Sequence, residues 1–234
     1  HLGGAREAVQ AVWPQARCSV VEPTAALHAR SLEAARGPWW RGGRPRWPVL
    51  TEAEVAPASA GMLWSNMQLH LAPDLPALLA SWLRALQPEG VLMFSTYGPD
   101  TLRELHALYA EAGWPAPQHP FVDMHDLGDA LVHAGFADPV MDQETLRLSW
   151  SSPAALLDEL RSLGQHLGHG RFAGLRTPRW QRRLEALLAA RADTQGRITM
   201  RVEIVYGHAL RGQPRPGADG TTVECERWAM LLSD

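Results

Sequence analysis

The sequence contains no lysine, so arginine supplies all 22 of its permanently basic side chains. Arginine stays charged throughout the physiological pH range and favours planar, bidentate partners such as carboxylates and phosphates. Coding bias in a GC-rich genome explains the absence of lysine more simply than selection for anion binding does. The composition alone therefore identifies no anionic ligand.

Cysteine and long apolar runs are also scarce. Cys18 and Cys225 lie far apart, which does not suggest the disulfide framework of a small secreted protein. No apolar run approaches the length that spans a membrane, and no signal peptide is evident. We therefore expect a cytoplasmic protein without membrane contacts. Because the chain begins at His1 and not at methionine, we also expect that an N-terminal portion is missing.

Length and charge balance are those of an ordinary globular protein. The chain has 234 residues, of which 46% are hydrophobic and 20% charged, and its net charge is -3. This size is enough for one α/β domain with a sizeable core. A slightly acidic chain has no general affinity for nucleic acid, which we exclude as a partner. The composition does not determine the oligomeric state.

The most informative part of the chain is an apolar run that ends in a polar pair, Leu63-Trp64-Ser65-Asn66. A helix that Asp74 can cap follows, and then a second apolar run, Val91–Ser95. This order predicts a strand, a helix and a parallel strand, and the carboxyl ends of such strands face a bound cofactor. The predicted cofactor contacts here are Ser65, Asn66 and Met67.

An acid ends an earlier predicted strand, which runs from Cys18 to Glu22 and precedes Pro23. A carboxylate in this position can accept hydrogen bonds from both hydroxyls of an adenosine ribose. Because the acid follows an apolar strand and precedes a helix, we prefer this role to that of a solvated surface acid. Glu22 and Pro23 are therefore predicted cofactor contacts.

Two further pairs of residues are candidate cofactor contacts. Gly3 and Gly4 form a turn before the first helix, where glycine lets the backbone approach a ligand and leaves amide donors available. A plain tight turn is an equal alternative. Glu52 and Ala53 precede the central apolar run and can reach an adenine edge, or they are surface residues.

Motifs for metal binding and nucleophilic catalysis are absent from the sequence. His166 and His169 are three residues apart, but no third and fourth ligand stand at a suitable spacing. No Gly-x-Ser-x-Gly turn and no Cys/His nucleophile pair is evident. We therefore predict no metal site and identify no catalytic residue.

The second half of the chain predicts a helical insertion. Two helical segments, at roughly 153–163 and 178–191, lie between a strand that ends near Trp150 and a long strand with alternating apolar residues from Ile198 to Ile204. We predict one α/β domain over residues 1–234, with a helical insertion at 151–196.

Arginine is concentrated in this insertion. The basic run can receive an acidic partner or a phosphate-bearing carrier, although a solvated helix face is a slightly simpler explanation. Its members are Arg171, Arg176, Arg179, Arg182, Arg183 and Arg191.

Taken together, these segments resemble the class I S-adenosylmethionine-dependent methyltransferases, and among them the malonyl-acyl-carrier-protein O-methyltransferases of biotin synthesis. The resemblance covers most of the chain. It is carried by residues 63–70, 86–90, 94–96, 157–164 and 201–209.

The resemblance implies an α/β, Rossmann-like fold with a mainly parallel seven-stranded sheet, helices on both faces and S-adenosylmethionine at the carboxyl ends of the strands. It implies that Gly3 and Gly4 meet the methionine part of the cofactor, that Glu22 meets the ribose, and that residues 65–67 form the rim. The 151–196 insertion is then a lid over the substrate.

The resemblance also implies acyl carrier protein as a partner. The basic surface that would receive it is formed by Arg171, Arg176, Arg179, Arg182 and Arg183. A carboxylate acceptor is already nucleophilic, so methyl transfer to it needs alignment more than a general base. The candidates for orienting the acceptor are Arg147, Arg161 and Arg171.

The sequence departs from the family pattern in its cofactor loop. His1 stands where the family has an acid, and Glu7 stands at the third glycine, where a carboxylate would crowd or repel the carboxylate of the cofactor. Glu52 stands at best in place of the usual aspartate near the adenine. Two alternatives therefore remain: a non-catalytic binding or regulatory protein that has lost the cofactor, and a methyltransferase for another small molecule such as a quinone precursor.

Overall fold

Helices and strands are interspersed along the described parts of the chain. The computed structural model describes residues 6–37, 46–162 and 176–212. The helices are α1 (Arg6–Val12), α2 (Ala25–Ala35), α3 (Leu75–Ala85), α4 (Arg103–Glu111), α5 (Met124–Ala134), α6 (Pro153–Ser162) and α7 (Pro178–Ala189). The strands are β1 (Val20–Glu22), β2 (Val49–Thr51), β3 (Ala60–Asn66), β4 (Leu86–Tyr97), β5 (Phe136–Trp150) and β6 (Ile198–Arg211).

The six described strands form two sheets. β1 and β2 make a parallel pair, and the other four strands are ordered β3-β4-β6-β5. β3 and β4 are parallel, whereas β6 is antiparallel to both β4 and β5. Within the four-stranded sheet, β3, β4 and β5 therefore share one direction and β6 runs opposite to them. The family resemblance implies a mainly parallel seven-stranded sheet, and six strands lie in the described residues.

Side-chain caps determine where several helices begin. At the start of α3, the Asp74 carboxylate accepts a hydrogen bond of 2.9 Å from the Ala77 amide, as the sequence predicts. The hydroxyls of Thr24 and Thr177 accept similar bonds at the starts of α2 and α7. These caps satisfy amide groups that lack a partner inside the helix. No helix in the three described ranges combines the length with the apolar character that a bilayer span requires.

The first hydrophobic core lies between the four-stranded sheet and helices α3 and α5. Leu79, Leu127 and Leu131 from the helices join Leu92 and Val205 from the strands, and each of these side chains is fully buried. Burying a large aliphatic side chain stabilises a protein by roughly 1.5–3 kcal/mol. This core therefore fixes the position of β4 in the middle of the sheet.

A second core lies beyond the end of β4. The pairing of β4 with β6 stops at Tyr97 and Ile204, whereas β5 and β6 stay paired as far as Trp150 and Ile198. Three helices, α4, α6 and α7, cover this extension of the ladder. Their buried contributions are Leu105, Leu108, Tyr109, Leu156, Leu184 and Leu188. The carboxyl edge of β4 is therefore flanked by a helical layer.

β6 changes its buried face between the two cores. Ile198 and Met200 are buried in the second core, whereas Val205 and Ala209 are buried in the first. Residues an even number apart share a face of a strand, so the two pairs point to opposite faces. The predicted alternation from Ile198 to Ile204 therefore describes only the first part of this strand.

An ion pair connects α4 to β6. The Arg201 Nε donates to Glu104 Oε1 at 2.7 Å, and the Arg201 amide donates to Glu104 Oε2 at 3.0 Å. Burial alone would raise the pKa of Glu104, but the hydrogen bonds from Arg201 outweigh it and hold the pKa below the ordinary value of 4.5. Glu104 therefore stays ionised in the folded protein at neutral pH.

Replacing Glu104 by glutamine should lower the free energy of unfolding near neutral pH by about 1–2 kcal/mol, because charge-assisted hydrogen bonds at a partly solvated site are weakened. The folded-state pKa lies below the unfolded one, so this contribution is present above pH 4.5 and is lost as the pH falls through the folded-state pKa. Denaturant unfolding across this pH range would measure it.

Glu111→Gln is the matched control, because Glu111 lies on the same helix and its carboxylate is 68% exposed beside Arg191. Exposed ion pairs contribute about 0–1 kcal/mol, so this variant should lose little. Equal losses of unfolding free energy in the two variants would contradict the role of Glu104. A difference between the variants that persists below the folded-state pKa of Glu104 would contradict it as well.

Candidate functional site

A polar rim lies at the carboxyl ends of β3 and β4. These strands are in register there, with Asn66 opposite Ser95. The Ser95 hydroxyl donates to Asn66 Oδ1 at 2.5 Å, and the Met67 amide donates to the Ser95 carbonyl at 2.9 Å. Met67 has a φ of 53°, a left-handed conformation that is uncommon for a residue with a side chain. These hydrogen bonds therefore fix the backbone that follows β3 in one defined conformation.

Ser65 presents a buried hydroxyl at this rim. The residue is 7% exposed, and its Oγ has no hydrogen-bond partner among the described residues. Leaving a buried hydroxyl unpaired costs about 1–3 kcal/mol. A polar ligand group at the end of β3 would relieve this cost, and the role of Ser65 as a cofactor contact stays a prediction.

The β1–β2 pair has an acidic carboxyl edge. Glu22 is 6% exposed, and its Oε1 accepts a hydrogen bond from the Ser31 hydroxyl of α2. Its neighbour across the ladder is Thr51, so Glu52 and Ala53, in the short helical turn 52–54, follow at the same edge. The structure thus brings together three predicted contacts, while the fourth, Pro23, is exposed directly after β1.

The neighbouring acid Glu54 has a local role. Its carboxylate accepts hydrogen bonds from the amide and the hydroxyl of Thr51. The backbone bond and then the side-chain bond lower the pKa of Glu54. This capping arrangement fixes the turn that carries Glu52 and Ala53.

The turn after β4 is held by Glu203 of β6. The Glu203 carboxylate accepts a hydrogen bond of 2.9 Å from the Asp100 amide, and it packs so closely on Gly98 that a side chain there would collide with it. The Thr101 hydroxyl donates to the Glu203 carbonyl at 2.9 Å and accepts from the Glu203 amide at 3.1 Å. Sequence reasoning missed this contact, although a single acid within a strongly apolar strand was a usable signal.

An aromatic cluster lies beside the rim. His70 follows the rim tract and places its Nδ1 3.4 Å from the hydroxyl of Thr96, which is 1% exposed. Its ring centroid is 4.7 Å from that of Tyr97 and 5.6 Å from that of Phe121. Burial lowers the pKa of His70, which keeps the imidazole neutral at physiological pH. The sequence analysis did not single out this histidine.

The cofactor loop is only partly described. Gly3 and Gly4 lie outside the described residues. Glu7, the acid at the third glycine position, belongs to α1, and its carboxylate is 87% exposed and 3.6 Å from the Arg6 guanidinium. The Arg6 guanidinium in turn lies 4.0 Å from the ring centroid of Trp47. The Glu7 carboxylate is therefore directed to solvent and is partly neutralised.

Of the three arginines predicted to orient an acceptor, the two in the described residues lie on different elements. Arg161 on α6 donates to Asp158 at 2.6 Å, and Arg147 lies on the exposed strand β5 opposite Arg201. Arg171 falls outside the described residues. Their role in orienting an acceptor stays a prediction.

The predicted basic surface divides into two kinds of arginine. The Arg176 guanidinium lies 3.9 Å from the Trp180 ring centroid and donates to the Tyr109 hydroxyl, and the Arg183 guanidinium lies 5.2 Å from the Trp114 ring centroid. These rings pack on one another. The other two arginines, Arg179 and Arg182, are exposed on α7. Cation–π contacts therefore hold two of the four described arginines of this surface in place.

The sequence is related to curated methyltransferases. It is 38% identical over 212 residues to the malonyl-acyl-carrier-protein O-methyltransferase of Gallionella capsiferriformans, a match that covers 87% of this chain and 72% of that protein. The enzyme of the same name from Halorhodospira halophila is 38% identical over 209 residues, covering 83% of this chain and 70% of that protein. This chain belongs to the malonyl-acyl-carrier-protein O-methyltransferase family. Comparison with general protein-family models gives no match.

Solved structures confirm the Rossmann-like fold of this family member. The YcgJ protein of Bacillus subtilis superposes with a TM-score of 0.56 at 11% identity, covering 90% of this chain and 89% of that one. A candidate methyltransferase from Bacillus halodurans superposes with a TM-score of 0.57 at 12% identity, covering 90% of each chain. The predicted family and fold class are thus confirmed, with a sheet that is mixed in the described residues.

In this family member, Ser65→Ala and Ser95→Ala should change the stability of the unliganded protein in opposite directions. Removing the unpaired Ser65 hydroxyl should raise the free energy of unfolding by up to about 1 kcal/mol, whereas Ser95→Ala should lower it by about 1–2 kcal/mol because bonded groups lose their partner. Denaturant unfolding of the two variants measures both effects. A loss of similar size in each would show that Ser65 is satisfied within the protein.

Proposed function

We propose that this protein transfers a methyl group from S-adenosylmethionine to the free carboxylate of a malonyl group on acyl carrier protein, a cytoplasmic step toward biotin. The observation that carries the proposal is the 38% identity to a malonyl-acyl-carrier-protein O-methyltransferase over 87% of the chain. The rim, the buried acid and the helices around the end of β4 support the proposal.

The residues present fit the adenosyl cofactor. Glu22, buried at the end of β1, would accept hydrogen bonds from the ribose hydroxyls, as acids do in this position of dinucleotide folds. Ser65 would pair its otherwise unsatisfied hydroxyl with the ligand, beside Asn66 and Met67. Pro23, Glu52 and Ala53 would lie toward the adenine, and Gly3 and Gly4 toward the methionine part.

The proposal includes a seven-stranded sheet. Each described sheet contains a pair of parallel strands, and β1 in one sheet and β3 in the other are edge strands within the described residues. A further strand between β1 and β3 would join the two sheets into one. This arrangement would place Glu22 and Ser65 on either side of one crevice.

The chemistry places modest demands on the protein. The bound cofactor supplies an electrophilic methyl group on a cationic sulfur. The protein must align the acceptor carboxylate with this group and exclude water, and it need not remove a proton. In the proposal, α6 and α7 act as the lid, because the core they share with α4 lies beyond the end of β4.

Calorimetric titration with S-adenosylmethionine and S-adenosylhomocysteine should give dissociation constants in about the micromolar range. Glu22→Gln should weaken the binding of both compounds by about 10–100-fold, because a hydrogen bond to a charged group contributes about 1.5–3 kcal/mol. The matched control is Glu33→Gln, at an exposed acid of α2.

The outcomes separate the alternatives. If folded wild-type protein gives no heat of binding with either compound, the protein is better explained as a non-catalytic relative. Binding of the cofactor without methylation of malonyl-acyl carrier protein would support another small-molecule acceptor. Normal binding by the Glu22 variant would remove only the ribose role of that residue.

The arginines of α7 support the carrier protein as partner. Arg179, Arg182 and Arg183 occupy the first half of the helix, where no acid stands in the first turn. A cation near a helix N-terminus is disfavoured by about 0.3–1 kcal/mol, because the helix dipole is positive at that end. An acidic partner would reverse this penalty, and the proposed surface also includes Arg171 and Arg176.

Charge reversal at Arg179 and Arg182, which lie outside the cation–π contacts described above, should weaken binding of malonyl-acyl carrier protein by more than about tenfold at low salt, with a smaller effect as salt is added. The matched control is Arg17→Glu with Arg30→Glu, which changes the net charge equally at exposed positions elsewhere. Fluorescence anisotropy with labelled carrier protein would measure the affinity of both double variants. Equal losses in the two double variants would contradict a docking surface on α7.

A further inference from the structure

His70 occupies a place at the carboxyl edge of the sheet that no predicted role explains. It lies in the short helical turn 69–71, four residues after Asn66, and its partner Thr96 directly follows Ser95 on β4. The imidazole thus lies against the end of β4, in contact with Thr96 and Tyr97. It is partly exposed, whereas Thr96 beneath it is buried.

The contact with Thr96 favours one form of the imidazole. A buried hydroxyl is stabilised when it donates its hydrogen, and the contact found for Thr96 Oγ1 within the described residues is to His70 Nδ1, at 3.4 Å. When Nδ1 accepts a hydrogen bond in a neutral imidazole, the proton resides on Nε2. His70 then presents an N–H donor on the side of the ring away from Thr96.

The surroundings keep this donor neutral. The titratable side chain in ring contact with His70 is Tyr97, and burial raises its pKa, so it also remains uncharged. At the end of β4 the carboxylate of Glu203 is already bonded to the Asp100 amide. A neutral donor beside the reacting groups neither repels a sulfonium nor binds the nucleophilic carboxylate as tightly as a cation would.

We propose that His70 is a catalytic residue that orients the acceptor, with its Nε2–H donating to one oxygen of the acceptor carboxylate, and that Thr96 is the residue that positions it. This inference rests on the proposed function. The other carboxylate oxygen forms the new bond to the methyl carbon while the bond from that carbon to sulfur breaks. The electron pair of that bond stays on sulfur, which becomes a neutral thioether, and no proton is transferred.

Steady-state kinetics of three variants tests the proposal. The amide nitrogen of glutamine can reach the position of Nε2, whereas that of asparagine reaches only about as far as Nδ1. His70→Asn should lower kcat/KM for malonyl-acyl carrier protein by about 10–100-fold, because it removes a hydrogen bond to a charged group. His70→Gln should recover most of this loss. Thr96→Val should lower the same kcat/KM by about 3–10-fold, because the imidazole loses the hydrogen bond that orients it. Affinity for S-adenosylhomocysteine should stay within about twofold in all three.

A merely structural role predicts a different pattern. Asparagine and glutamine would then be equivalent, or the cofactor affinity would fall in parallel with the rate. Either result would overturn the proposal. Thermal unfolding of each variant shows whether the fold is retained.

Nitrogen-15 spectra of the imidazoles give a second test that needs no turnover. The His70 signals, assigned by their loss in His70→Asn, should show a neutral ring protonated at Nε2 near neutral pH, and malonyl-pantetheine added with S-adenosylhomocysteine should shift Nε2. A ring protonated at Nδ1, or an Nε2 unaffected by the malonyl compound while the cofactor analogue binds, would overturn the role of His70. An inactive wild-type protein with the expected spectra would instead locate the failure in the proposed methyl acceptor.

Discussion

The antiparallel placement of β6 between β4 and β5 is the constraint on which the rest of the described structure depends. Its pairing with β4 covers Val91 to Tyr97, and its pairing with β5 reaches further, to Trp150. Because the second ladder is longer than the first, a strip of sheet projects beyond the carboxyl end of β4. The helices of the second core have no other surface in the described structure on which to bury their leucines. The two cores and the site between them therefore follow from the position of one strand.

The same strand fixes the turn that leaves β4. Glu203 and Arg201 belong to the first half of β6, and both bond to groups on or before α4. Hydrogen bonds that a buried or partly buried carboxylate receives from backbone amides are stronger than neutral ones. β6 thus supports β4 on the side opposite to β3, which contributes Asn66 to the rim. A small shift of β6 would disturb the turn at Gly98 and the start of α4 together.

Local signals predict the parts of this protein that local interactions determine. The Asp74 cap, the apolar run that becomes β3 and the acid at the end of β1 could all be identified because the residues that decide them are neighbours in sequence. The partners of Glu22 and Glu54 lie within nine and three residues of them. Such short-range patterns need no knowledge of the tertiary fold.

Contacts between distant segments could not be predicted in this way. Glu203 meets Asp100 across 103 residues, and His70 meets Thr96 across 26, so no periodicity reveals either pair. The direction of β6 was also undetermined, since alternation is the same in parallel and antiparallel strands. The basic run illustrates a further limit. Its charge is evident in sequence, but which of its arginines rest on Tyr109, Trp114 and Trp180 depends on how α4 and α7 pack.

The distribution of charge agrees with the reaction that the family performs. The rim and the aromatic cluster beside it contribute neutral dipoles, namely Ser65, Asn66, Ser95, Thr96 and His70, whereas Arg179, Arg182 and Arg183 stand on α7. When an anionic carboxylate attacks a cationic sulfonium, opposite charges diminish as the bond forms. Water stabilises the separated charges more than the dispersed transition state, so a dry site with fixed neutral dipoles favours the transfer. A permanent cation at the rim would instead stabilise the unreacted carboxylate. In the proposed function, the arginines of α7 would therefore act away from the rim, where their charge would attract an acidic carrier without lowering the reactivity of its malonyl group.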